Sequence, residues 1–124
     1  MISNKSIVHV IDDDETARAS LEELLVSAQF RVRTHESANA FLSDLSETEF
    51  GCIITDLHMP RVDGIELIGR LRGRGRSTPV IVVSGRRDVT LATRAMKAGA
   101  IDFLEKPIIA EVLLAWVRSA IVCQ

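Results

Sequence analysis

The sequence predicts an α/β domain, an open and doubly wound parallel sheet assembled from five β-α units. Three observations lead there. Apolar runs of four or five residues, rich in Ile and Val, alternate with longer segments of helical period, as buried parallel strands alternate with their crossover helices. The 124 residues, 47% hydrophobic and 26% charged, are enough for one folded domain with a core, spanning 1–124. No internal repeat or low-complexity segment interrupts the alternation.

Strand one is Ile7-Val8-His9-Val10-Ile11, which stops at Asp12-Asp13-Asp14. In the helix after it, Ala17, Leu21, Leu24, Leu25 and Ala28 recur on one face, with Asp14 as N-cap. Arg31 to His35 alternates polar and apolar, the pattern of an edge strand, and Ser37 caps a short helix through Leu45. Strand three, Cys52-Ile53-Ile54-Thr55, runs into Asp56, a Met59-Pro60 loop and a helix from Gly64 to about Leu71. Strand four, Val80-Ile81-Val82-Val83, stops at Ser84; Asp88 then caps a helix from Val89 to Ala98, which Gly99 ends. Strand five, Ile101 to Glu105, leads to Lys106-Pro107 and a last helix from about Ala110 to Val122. Parallel crossovers are right-handed, and a sheet covered on both faces binds its ligands beyond the carboxyl ends of its strands.

The bulk numbers exclude more than they select. A net charge of −2 gives no global attraction to nucleic acid, so any such partner would have to be held by a local patch or by another polypeptide. The domain itself is expected to make no direct nucleic-acid contact. Cys52 lies inside an apolar run and Cys123 is next to the end, which reads as two unpaired thiols in a reducing compartment. Residues Met1 to Lys5 form no apolar leader, and no uninterrupted apolar stretch approaches the roughly 20 residues that span a bilayer. The expectation is a cytoplasmic protein with no membrane partner.

The polar residues that end the strands carry the chemistry. With strands one and three adjacent, as in the 2-1-3-4-5 order of a flavodoxin-like sheet, Asp12, Asp13 and Asp56 face one small volume. Two carboxylates about 4 Å apart repel by roughly 4 kcal/mol at a surface-like dielectric, so a set of three calls for a cation. Hard oxygen donors with open positions suit Mg²⁺. An ion bound there accepts a phosphoryl oxygen, Lys106 neutralises another as charge develops, and Ser84 offers a hydroxyl to the third. Asp12 and Asp13 adjoin one another as a metal pair, which leaves Asp56 as the nucleophile and an aspartyl phosphate as the product.

These residues resemble a known family. The Asp12-Asp13 pair, Asp56 before Leu57-His58-Met59-Pro60-Arg61-Val62-Asp63-Gly64, the Ser84-Gly85 pair, and Ala98-Gly99-Ala100-Ile101-Asp102-Phe103-Leu104-Glu105-Lys106-Pro107 are similar to the receiver domain of bacterial two-component response regulators, in order and spacing, over nearly the whole chain. The resemblance implies that Asp56 accepts a phosphoryl group from a sensor histidine kinase. It implies that Asp13 and Asp56 ligate Mg²⁺ with the backbone carbonyl of His58, and that Asp12 holds a metal-bound water. Lys106 would contact the phosphoryl group, while Ser84 and Phe103 would reorient on phosphorylation. That switch alters the face of helix four, strand five and helix five, through which the domain would pair with a second copy. It also implies a signalling domain, not an enzyme, that promotes its own phosphotransfer and dephosphorylation. The Lys106-Pro107 bond is commonly cis in such domains, against about 5% of X-Pro bonds in general. Strands one and five resemble FixJ-type regulators, whose receivers precede a helix-turn-helix domain that controls transcription. The chain thus reads as a single-domain regulator or as the receiver of a longer protein, and its stop at Cys123-Gln124 after a helix favours the second.

Blander readings apply to several residues. A lone Asp at a strand end is more often a helix cap than a ligand, and Asp14, Asp63 and Asp88 are read as caps or turn residues. His9 and His35 are read as structural, and the His58 ring as a loop side chain at the mouth of the site. Arg70, Arg72, Arg74 and Arg76 form a solvated helix end and loop, since no aromatic residue is interleaved as a nucleic-acid patch demands; Arg86 and Arg87 lie near the phosphoryl site. In the last helix, Val112, Leu113, Leu114, Trp116, Val117, Ala120 and Ile121 cover an arc on the order of 200°, wider than the roughly 100° stripe a one-sided helix needs. The surplus either awaits a partner or overhangs the sheet edge.

Two rival functions use the same residues. Ile11 to Thr16 also fits the D-x-D-x-T strand end of haloacid-dehalogenase-type phosphatases, with Asp12 as nucleophile and Asp14 as general acid, but no acidic metal motif follows Lys106 and Asp56 would be idle. A receiver-like module that is never phosphorylated is the other, and the complete acidic set with Ser84 and Lys106 speaks against it.

Overall fold

A computed structural model of the protein describes residues 6–44, 51–85 and 89–122. Leu45, Arg86, Arg87, Asp88 and Cys123, and so the expected end of the second helix, the cap of the fourth and the second thiol, lie outside the described residues. Five parallel strands, β1 (Ile7–Ile11), β2 (Arg31–His35), β3 (Cys52–Asp56), β4 (Val80–Ser84) and β5 (Asp102–Glu105), form one sheet in the order β2-β1-β3-β4-β5. Five helices follow them in turn: α1 (Glu15–Ser27), α2 (Ala38–Ser43), α3 (Gly64–Gly73), α4 (Val89–Ala98) and α5 (Ala110–Val122). The register sets Ile11 beside His35 and Thr55, Asp56 beside Val83, and Ser84 beside Glu105, so the strand ends line up along one edge.

Strand alternation divides the core into two layers. Val8, Val10, Ile54, Ile81 and Val83 pack with Leu21 and Leu25 of α1 and Leu113 and Val117 of α5. Ile11, Ile53, Val80 and Val82 pack on the other face with Phe41, Leu67, Ile68, Leu71 and Ala95. Each fully buried Leu or Ile in these layers contributes about 1.5–3 kcal/mol. The helices start where side chains cap them. Asp14 accepts from the Ala17 amide at 3.1 Å, Ser37 from Ala40 at 3.0 Å and Asp63 from Glu66 at 2.8 Å. No helix among the described residues is long and apolar enough to cross a membrane.

Three local expectations are modified. Strand five begins one residue late, at Asp102 opposite Ile81: the Ile101 amide still bonds the Val80 carbonyl (2.9 Å), but its side chain is exposed, and as an edge strand β5 is only half-buried. The arginine run is not uniformly solvated. Arg70 pairs with Glu66 in the open at 3.0 Å, but half-buried Arg72 donates to the carbonyls of Arg76 (2.9 Å), Thr78 (3.1 Å) and Gly99 (3.0 Å), satisfying acceptors of two loops at once. Gly99 has φ +119°, and a Cβ there would come within 3.0 Å of the Arg72 Nε, so glycine is needed both for the turn and for the arginine. Finally, the wide apolar arc of α5 is largely absorbed by the fold. Leu113, Val117, Ala120 and Ile121 are buried, and Leu114 and Trp116 pack half-buried against the same layer.

Candidate functional site

Asp12 is the first residue past β1. Its amide donates to the His35 carbonyl (3.2 Å), its Oδ1 accepts from the Asp14 amide (2.9 Å), and its Oδ2 lies 3.5 Å from the Lys106 Nζ. With 1% of its surface exposed, the carboxyl is pushed above the usual carboxylate range by burial and further by the Asp56 charge; the Asp14 amide and the Lys106 ammonium pull back only part of the way. Asp56 ends β3. Its Oδ1 faces the His58 amide (3.3 Å) and its Oδ2 lies 3.6 Å from the same Lys106 Nζ. Exposed Asp13 completes the set: Asp12, Asp13 and Asp56 each present a carboxylate oxygen, and these lie within 4.8 Å of one another.

The sheet register creates this meeting. Lys106 follows β5 and its amide bonds the Ser84 carbonyl at 2.8 Å, which holds the lysine above the strand ends; the Lys106-Pro107 peptide is cis. Ser84 ends β4 and is fully buried. Phe103, on β5, is half-buried and packs against the layer that holds Ile11 and Leu57. Beneath the loop after Asp56, Gly64 opens α3 where a Cβ would meet the Asp56 carbonyl at 3.0 Å and the Leu57 Cα at 3.2 Å, so the helix can approach the site only with glycine. His58 is exposed, as a ring at the mouth requires.

Asp14 does not join the cluster. It is exposed and spends its carboxylate on the α1 cap, which leaves it poorly placed as a general acid for a phosphatase. One neighbour escaped the sequence reading. Arg18, in α1, donates from Nη1 to the Asp12 carbonyl at 2.7 Å. It is the only basic residue between Asp12 and Arg31, and that isolation beside an acidic run was the available signal.

The donor set fits a small hard cation. Two ligands of one octahedral Mg²⁺ ion stand about 2.9–4.2 Å apart, close to the spacing of these oxygens, and all three donors are carboxylates. Lys106 partly balances the anions, but one ammonium against three carboxylates leaves the cluster negative.

The model of the response regulator receiver domain matches residues 8–118. The chain belongs to this family. Its relatives make the receiver FixJ-type: it is 45% identical over 120 residues to the transcriptional regulatory protein FixJ of Bradyrhizobium diazoefficiens, a match covering 97% of this chain and 58% of that one. The solved structure of FixJ-N superposes with a TM-score of 0.89 at 39% identity, covering 96% of this receiver and 95% of that chain. Full-length FixJ from B. japonicum gives 0.88 at 45% identity, over 97% of this receiver and 59% of that chain. The receiver thus spans somewhat over half the length of the curated relatives it matches.

Proposed function

We propose that this receiver is the phosphoacceptor of a two-component pathway, with Asp56 taking the phosphoryl group from a phosphohistidine of a sensor kinase. The observation that carries this reading is the convergence of three carboxylates within 4.8 Å with one lysine 3.5–3.6 Å from two of them. An Asp56 carboxylate oxygen forms the new bond to phosphorus as the phosphohistidine P–N bond breaks, and the imidazole leaves with the bonding electron pair. Mg²⁺ held by Asp13, Asp56 and the His58 carbonyl, with Asp12 on a bound water, would supply charge neutralisation for the phosphoryl oxygens. The Asp56 carboxylate is oriented by the His58 amide on one oxygen and by Lys106 on the other. Lys106 is then the counter-charge for the transferred group, because its ammonium already faces the acceptor.

Output follows from where Ser84 and Phe103 stand. Ser84 is buried at the end of β4, and Phe103 packs one strand away on β5, so a phosphoryl group on Asp56 that draws the Ser84 hydroxyl vacates space for the ring. The α4-β5-α5 face then changes shape and pairs with a second copy, and in a longer chain it would act on a transcription-regulating partner domain.

Incubation with Mg²⁺ and labelled acetyl phosphate, with beryllofluoride as the stable mimic, tests the reading. Label retained on Asp56 supports it. Label on Asp12 with steady phosphate release would mark a phosphatase, and no label or shift would mark a passive module; either result overturns it. Mass measurement with and without beryllofluoride tests the pairing.

A further inference from the structure

Asp12 is tied to the fold through its backbone as well as its carboxylate. The β1 ladder ends with Ile11 opposite His35, and the Asp12 amide donates a last bond to the His35 carbonyl. The Asp12 carbonyl, one step further, lies past the paired strand, and its donor is a side chain: Arg18 Nη1 at 2.7 Å. This is the short distance expected when the donor is ionised. Arg18 is half-buried in the second turn of α1, and that helix is itself anchored by the Asp14 cap.

We propose that Arg18 is a positioning residue for the acidic site: by holding the peptide between Asp12 and Asp13, it fixes the directions in which the two carboxylates leave the chain. The inference rests on the reading that this cluster binds Mg²⁺. The physical need is specific. Asp12, Asp13 and Asp56 repel one another, and Asp13 is exposed, so a free peptide at this point would let the Asp13 carboxylate swing towards water and away from the other two. The Arg18 guanidinium opposes that swing through the backbone, its hydrogen bond going to the Asp12 carbonyl and not to a carboxylate oxygen. Groups that orient the ligands of a metal commonly change affinity by about 10–100-fold when removed.

The test uses Arg18→Met, which keeps much of the aliphatic stem without donor or charge, and Arg18→Lys, which keeps the charge and one reachable donor. Magnesium affinity is read from amide chemical shifts in a titration, and phosphorylation by acetyl phosphate is followed at limiting and at saturating Mg²⁺. The methionine variant is expected to bind Mg²⁺ about tenfold more weakly, to be phosphorylated correspondingly slowly at limiting Mg²⁺, and to recover near wild-type rates at saturation. The lysine variant is expected to lie nearer to wild type in all three. Methionine binding Mg²⁺ as well as or better than wild type, a rate defect that saturation leaves in place, or a lysine variant as weak as methionine would each overturn the role. If Arg18→Met does not fold, Arg18→Gln is judged by the same readings. Wild type that neither binds Mg²⁺ nor is phosphorylated would instead overturn the site itself, so the two failures are distinguishable.

Discussion

Strand β1 carries two polar clusters with opposite character. In its middle, the Nδ1 of His9 stands 3.0 Å from the Nε2 of His35, and the Phe41 ring meets both imidazoles edge-on at 5.2 and 5.0 Å between centroids. Past its end, Asp12 and Asp13 meet Asp56 and Lys106. The first cluster is complementary: one ring nitrogen donates and the other accepts, and both imidazoles are buried. The second gathers like charges that one lysine does not balance. A complementary buried cluster belongs to the fold, whereas like charges held together by a fold mark the place where something else must bind.

The sharpest way to break this contrast is to remove one member from each cluster. Asp56→Asn keeps the shape and an acceptor for the His58 amide but takes away the nucleophile, so labelling by acetyl phosphate is expected to vanish while circular dichroism is unchanged. His35→Leu is expected to lower stability and leave labelling in place. A fully labelled Asp56→Asn variant, or an unlabelled but folded His35→Leu variant, would reverse the assignment of the two clusters.

Next in size is the lid of the histidine pair. Phe41 is 1% exposed, touches both imidazoles and belongs to the layer that holds Ile11 and Leu67. Phe41→Ala is expected to cost about 3–5 kcal/mol in denaturant unfolding, the usual penalty for emptying such a position. A loss well under 1 kcal/mol would mean that α2 closes over the space and that the cluster matters little to the fold.

The two clusters also differed in how far the sequence disclosed them. Asp12, Asp13, Asp56, Ser84 and Lys106 were legible because each ends an apolar run, and parallel strands in register must bring such ends to one edge. His9 and His35 could be read as structural, but their mutual bond could not: it depends on strands one and two pairing with His9 two residues short of Ile11, the partner of His35. Arg72 and Arg18 were misjudged or missed for a related reason. Both serve backbone carbonyls, and a carbonyl in need of a donor leaves no trace in the residue types around it. The overhang of α5 was visible as a pattern, yet whether Leu114 and Trp116 find cover depends on the tilt of the helix over the sheet.

Titration separates the clusters by the sign of their pH dependence. His35 is lowered to about 4 from 6.5, by burial first and by the neighbouring His9 next, with Arg33 adding to the effect and Asp44 opposing it. The unfolded chain therefore takes up this proton before the native state does. The stabilisation is complete above about 6.5, declines as pH falls below that, and is gone below about 4, a change on the order of 3 kcal/mol. Unfolding free energy measured across this window should fall more steeply in wild type than in His35→Leu. Equal slopes would mean that the imidazole is not held neutral.

The acidic cluster should show the opposite sign, with the smallest effect. Burial and Asp56 raise the Asp12 carboxyl above its ordinary 3.8, so the native state holds this proton more tightly than the unfolded chain. The metal-free protein therefore loses stability as pH rises past that ordinary value, and the loss is complete once pH exceeds the raised one. Asp12→Asn removes the penalty without changing the side-chain shape. In EDTA at neutral pH the variant should melt a few degrees above wild type. Adding Mg²⁺ should narrow or invert the order, because wild type gains binding free energy that grows with the ratio of free ion to Kd, and the variant gains less. Paired melting curves, with EDTA and with Mg²⁺, decide the matter. A variant that melts lower without metal would show that Lys106 already compensates the buried charge, and the cluster would then be as complementary as the histidine pair.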